Sequence, residues 1–132
     1  MVTDVCSVRR SAGYTVVTLP AEVDAGNADR VREELLGNLD HGPAVLIVDM
    51  TATSFCAAAG VHALMRAHRQ AAAAGTGLRV AVSVPIVRWL LEITGSSQLL
   101  EVLPSLGAAV DDLGAAPPAL TARTGRAEET PR

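Results

Sequence analysis

The sequence predicts an α/β fold with a mixed sheet, and two kinds of observation carry that prediction. A continuous apolar run, Ala44 to Val48, and a similar segment, Leu78 to Val82, interrupted only by Arg79, are separated and followed by stretches with helical spacing. An apolar run without polar alternation suits a strand covered on both faces, as in a parallel layer. Helices between such strands make crossovers that lay them back on the sheet. The expectation is a mixed β-sheet of about five strands with about four helices.

Val5 to Arg9 and Tyr14 to Leu19 are β-branched segments joined through Ser11-Ala12-Gly13, the signature of a hairpin. Past Pro20, Asp24 is placed to cap a helix in which Ala28, Val31, Leu35 and Leu39 share one face, and Gly42-Pro43 stops it. Ala44 to Val48 is read as the central strand. A second helix from about Gly60 to Ala74 turns Val61, Leu64, Met65 and Ala72 inward and ends at Gly75-Thr76-Gly77. After Leu78 to Val82, Pro85 opens a third helix carrying Ile86, Leu90 and Ile93 and closed by Gly95. Leu99 to Val102 reads as a short edge strand. Pro104 then starts a last helix with Leu106, Ala109, Val110 and Leu113 on one face. From Gly114 onward Leu120 is the only large apolar side chain, so residues 1–113 are assigned to the domain and 114–132 to a flexible tail.

Composition narrows the function classes. The cations are 11 arginines with no lysine, against 14 Asp plus Glu; residues 1–113 hold 8 against 12, a charge of −4. A mildly acidic body with 2% aromatic residues offers neither a basic footprint nor a stacking platform for nucleic acid. The two cysteines, Cys6 and Cys56, lack paired metal or dithiol spacing. His41, His62 and His68 lack ligand spacing as well, so no metal and no cofactor are expected. Met1-Val2-Thr3-Asp4 is no basic start to a leader, and Ala57 to Ala74 is broken by His62, Arg66, His68 and Arg69. The protein is therefore expected in the cytoplasm, away from the membrane. No nucleophile with a base, no phosphate loop and no acid–base pair is assembled, so an enzyme is not expected. Nothing in the sequence speaks to the oligomeric state.

In open layered sheets the working crevice lies beyond the carboxyl ends of the central strands, which directs attention to Asp49 through Gly60. There the chain reads Val48-Asp49-Met50, then Phe55-Cys56-Ala57-Ala58-Ala59-Gly60. This resembles the STAS (sulphate transporter and anti-sigma factor antagonist) domains, in which a strand ending L-D-L is followed by F-x-D-S-S-G at a helix start. Phe55, Gly60 and Asp49 match that pattern. Upstream, Glu22, Asp24 and Ala28 match the family's G-E-L-D-x-x-x-A loop. The resemblance spans roughly residues 3 to 113.

Where the family has D-S-S, this chain has Ala57-Ala58-Ala59, so Ala58 stands at the position of the phosphorylated serine. The resemblance implies an anti-sigma factor antagonist that binds an anti-sigma factor of the histidine-kinase-like ATPase class and so regulates sigma factor availability. Phosphorylation, which adds about −1.5 to −2 charge and would end that capture, is not expected at Ala58. The expected partner-binding residues are Asp24, Cys56, Ala57, Ala58, Ala59, Gly60, His62 and Arg66. The alanines read equally as a dry contact surface or as drift in an alanine-rich chain, and give up an N-cap worth about 1 kcal/mol. A free helix start can also hold an anion. Thr51, Thr53 and Ser54 are read as bonding their own backbone rather than replacing the acceptor. Cys56, with Cys6 as a conceivable neighbour, is either a small buried side chain or a redox switch whose pKa the helix start lowers. Trp89 is read as core or as a helix-face anchor, with a partner hot spot as the lesser alternative. The alternative function is a degenerate STAS module that senses a small ligand or serves as a scaffold.

Overall fold

The computed structural model describes residues 5–113. Strands β1 (Ser7–Ser11) and β2 (Tyr14–Thr18) form the expected hairpin, antiparallel with Ser11 opposite Tyr14. The two-residue loop Ala12-Gly13 closes because Gly13 adopts φ 91°, open to glycine without strain. A two-residue strand β3 (Glu22–Val23) follows, then α1 (Ala28–Leu39), β4 (Val45–Asp49), a second two-residue strand β5 (Phe55–Cys56) and α2 (Ala58–Ala74). The chain continues through β6 (Gly77–Ala81), α3 (Pro85–Ile93), a 3-10 turn at Ser96–Gln98, β7 (Glu101–Leu103) and α4 (Leu106–Val110).

The main sheet has the order β1-β2-β4-β6-β7, parallel from β2 to β7 with β1 antiparallel at the edge. The run expected to be central is central. In β4, Leu46, Ile47 and Val48 are fully buried, and period-two alternation sends them to opposite faces. Leu46 and Val48 join Val17 and Val80 under α1, α2 and α3 in the larger core. Ile47 joins Val16, Ala81 and Ala109 in a smaller core under α4.

Most expected helix faces hold. Ala28, Val31, Leu35 and Leu39 of α1 are buried, as are Val61 and Leu64 of α2. Three placements are corrected. Ala72 is exposed and Ala71 takes the inward position; Met65 is only half-buried. Asp24 does not cap α1, because the N-cap residue is Asn27; Asp24 instead builds the preceding turn. In α3 the fully buried residues are Val87 and Leu91; of the stripe read from the sequence, Leu90 is half-buried against the core while Ile86 and Ile93 face outward. The tail from Gly114 lies outside the described residues. No described helix is long and apolar enough to cross a membrane.

The smaller core is closed by one side chain. Arg79 projects from β6 on the α4 side and donates to the Ala109 carbonyl at 2.7 Å and to both oxygens of Asp112 at 2.7 and 2.9 Å, with Glu101 at 3.5 Å. The guanidinium holds the Asp112 carboxyl below its ordinary range. A lowered folded-state pKa stabilises the fold above the unfolded carboxylate value of about 4 and loses that contribution as pH falls through the folded value. Because Asp112 is 68% exposed, Asp112→Asn should cost only about 0.5–1 kcal/mol at pH 7 in urea unfolding. The difference from wild type should shrink as pH falls below about 4 and disappear once the carboxyl is protonated in both states, and a cost that stays constant through that acid range would show that the ion pair is not its source.

Candidate functional site

The two short strands were not expected, and they assemble the site. β3 follows β2 and β5 follows β4, so both lie past carboxyl ends of the main sheet, where they pair in parallel with Glu22 opposite Phe55 and Val23 opposite Cys56. The ladder runs on into the helix start, for the Ala57 N–H donates to the Val23 carbonyl at 2.8 Å. Thr53 and Ser54 tie the same two loops: the Thr53 hydroxyl donates to the Pro20 carbonyl at 2.8 Å, and the Ser54 hydroxyl to the Ala21 carbonyl at 3.3 Å. The Thr51 hydroxyl donates to the buried Asp49 carboxylate at 2.7 Å. All three hydroxyls near the loop are thus engaged locally.

On the upstream side, Asp24 is half-buried and its Oδ1 accepts from the backbone N–H groups of Gly26 and Asn27 at 2.9 and 3.2 Å. The Asn27 side chain answers by accepting from the Asp24 N–H at 3.0 Å. This reciprocal turn holds the residue beside the start of α2, since the neighbouring Val23 carries the bond to Ala57. Asp24, Cys56, Ala57, Ala58, Ala59 and Gly60 therefore come together. His62 and Arg66 continue the surface along the exposed side of α2.

At the start of α2, Ala57 is the N-cap in extended conformation, φ −86° and ψ 168°, with no side-chain acceptor. Ala58 is exposed, Ala57 and Ala59 are half-buried, and Gly60 is buried. Gly60 has a steric reason: a Cβ there would come within 2.7 Å of both Cys56 Sγ and Val23 Cγ1. Cys56 is buried under this contact, and burial pushes its thiol up to about 11. That is the reverse of the lowering expected from a helix start, and it disfavours the thiolate that redox chemistry needs. Cys6 is likewise buried and forms no disulfide among the described residues.

Two hollows flank α2. Between α1 and α2, a groove of ≈310 Å³ is bordered by His62, Arg66 and Arg69 with Arg32 and Asp29 across it. Arg32 pairs with Asp29 at 3.3 Å, whereas Arg66 and Arg69 form no ion pair among the described residues. On the other side, a hollow of ≈220 Å³ is lined by Ala58, His62, Met65 and Leu99. Phe55, Trp89 and Leu99 are more than half exposed; Trp89 is not core, and Phe55 and Leu99 are apolar members of this surface that sequence reasoning missed. One signal was present in α3, whose nine residues include six large apolar ones, more than a single buried stripe accommodates. Among the described residues no group of three or more His, Cys, Asp or Glu could hold a metal ion.

Two outcomes follow from the packing at Gly60. Gly60→Ala should overpack the seam between α2 and β3 and destabilise the protein by about 1–3 kcal/mol, read by thermal or urea unfolding. Iodoacetamide should modify Cys56 in the folded protein at pH 8 about a hundredfold more slowly than in the unfolded chain, as followed by mass spectrometry. Rapid labelling in the native state would show the thiol to be open.

The comparisons with known proteins agree with this architecture. Among solved structures, an anti-sigma factor antagonist from Mycobacterium paratuberculosis superposes with a TM-score of 0.75 at 23% identity, covering 80% of this chain and 90% of that one. The anti-sigma factor antagonist SpoIIAA in its unphosphorylated form gives 0.70 at 16%, covering 84% and 98%. A sulfate transporter family protein from Wolinella succinogenes gives 0.68 at 22%, covering 76% and 84%. At such identities the likeness is one of fold. A search of the curated proteins finds no match. The family model for the STAS domain matches residues 6–109, from the first strand to the last helix and through both loops of the site, and the chain belongs to that family.

Proposed function

We propose that this chain is an anti-sigma factor antagonist that works by binding and not by catalysis. Its partner is an anti-sigma factor of the histidine-kinase-like ATPase class, held by Asp24, the segment Cys56 to Gly60, and His62 with Arg66. The observation that carries the reading is the seam between β3 and β5, which ties the Asp24 turn to a helix start bearing only methyl groups. Family membership and the antagonists among its structural neighbours support it. Ala57, Ala58 and Ala59 offer no hydroxyl to a kinase, and the nearby hydroxyls are already engaged within the domain. The binding surface therefore keeps a constant charge, where a phosphate would bring about −1.5 to −2 to an apolar contact. On this reading the site acts in the cytoplasm on the availability of a sigma factor. The sulfate transporter family neighbour supports a second reading, a STAS module that senses a small ligand or acts as a scaffold.

A pull-down from the native extract separates the two. The wild-type chain should recover an ATPase-type anti-sigma factor, and the doubly charged variant Ala57→Asp, Ala58→Glu should lose it by at least about tenfold, since burying an unpaired charge costs more than 1.4 kcal/mol. Incubated with that factor and ATP, the wild type should take up no phosphate at the loop, while Ala58→Ser should become phosphorylated. If no such factor is recovered, or the charged variant retains it equally, the sensor or scaffold reading replaces this one.

A further inference from the structure

The outward side of α3 is apolar without serving the fold. Ile86, Trp89 and Ile93 stand 57%, 53% and 57% exposed, whereas Val87 and Leu91 on the inward side are at 1% and 0%. Phe55, 51% exposed, continues the patch across a small hollow shared with Ile86, Trp89 and Leu90. Together these side chains expose on the order of 400 Å² of apolar surface, within the range of the largest patch on an ordinary monomer and of the kind that marks an interface.

From these residues we infer that α3 is the contact helix of a symmetric homodimer, packed antiparallel against α3 of a second copy. The argument for a second copy is self-complementarity, which a two-fold interface demands. In Pro85–Ile93 the outward apolar residues are placed almost symmetrically about a point between Trp89 and Leu90. A two-fold axis there sets Ile86 against the partner's Ile93, and Trp89 against the partner's Leu90. The same operation sets the partner's Glu92 level with Val87, one residue or about 1.5 Å along the axis from Arg88, which leaves the two long side chains within reach of each other. Arg88 and Glu92 stand one turn apart, at a spacing that often pairs within a helix, yet neither forms an ion pair in its own chain among the described residues. Two such cross-pairs would line the rim of an apolar centre holding two tryptophans, the residue type most enriched at interface hot spots.

Area sets the strength. Two patches with their polar rims bury on the order of 1,000–1,200 Å² in total, the low end for specific interfaces, which points to a micromolar rather than a permanent dimer. The surface comprises α3 and Phe55 and shares a hollow with Cys56 at the edge of the proposed partner site; the contact uses none of that site's residues, so the inference stands whether or not that reading does.

Sedimentation equilibrium on the 132-residue chain from about 1 to 300 μM tests it. The wild type should show a monomer–dimer equilibrium within that range, and Trp89→Glu should be monomeric throughout with an unchanged circular dichroism spectrum. Arg88→Glu and Glu92→Arg should each weaken the dimer by about tenfold, because each reversal creates two like-charge contacts. The double reversal should restore the affinity, which a merely structural role for either residue would not produce. A wild type monomeric at the highest concentration overturns the inference, as does a dimer that survives Trp89→Glu. A double reversal that stays as weak as the single ones overturns the antiparallel arrangement.

Discussion

The burial of β4 on both faces is the constraint from which the rest of the architecture follows. Leu46, Ile47 and Val48 point alternately to the two sides and none touches water, so each side of the sheet must be roofed, and removing either roof would expose side chains worth about 1.5–3 kcal/mol apiece. One side has three helices and a deep core. Among the described residues the other has only α4, five residues long, too short to hold its place by packing alone. Arg79 supplies what α4 lacks, reaching from β6 to a carbonyl in the helix and a carboxylate just beyond it. Ser105 caps the same helix by accepting from the Ala108 N–H at 3.0 Å, the one side-chain cap among the four described α-helices.

Roofing one side with three helices also distributes the surface chemistry. α1 and α2 lie side by side, where small residues such as Ala28 and Ala63 at their seam permit close approach. Their outward sides are left to charge: Arg66 and Arg69 stand there without acidic partners among the described residues. α3 covers the end of the core with Val87 and Leu91, helped by half-buried Leu90, and leaves Ile86, Trp89 and Ile93 exposed. The helices thus place a cationic strip on one flank of the Cys56–Gly60 segment and an apolar one on the other.

How much of this could be read from residues alone depended on whether the governing interaction was local. The β4 and β6 runs, the α1 face and the hairpin were legible because period and turn residues specify them within a short window. Observed boundaries moved by one to three residues, as at β1 and α2, which is where local signals are weakest. β3 and β5 were not legible, since two residues carry no period and exist as strands only through pairing across more than 30 positions of sequence. The α3 stripe was read correctly and, at Ile86 and Ile93, oriented wrongly. Ile86, Leu90 and Ile93 do share a side, but Val87 and Leu91 are equally apolar, and only the position of the sheet decides which set turns inward. Ala72 failed for a related reason, because an unbroken alanine run has no contrast to phase.

The site residues were named from a motif, and the structure supplies a physical reason for two of them. Gly60 is required because the first turn of α2 rests directly on Val23 and Cys56, leaving no room for a methyl group. Asp24 is required by the turn that presents it, not by the helix. The alanines are different, since the lost N-cap should cost α2 about 1 kcal/mol. Part of that cost is offset, because the Ala57 N–H is bound by Val23 and the helix start is fastened to β3 through backbone. A helix start anchored in this way depends only weakly on a side-chain cap at position 57. The fold therefore accepts methyl groups at positions 57 to 59 because the backbone ladder to β3, not a side-chain cap, fixes where α2 begins.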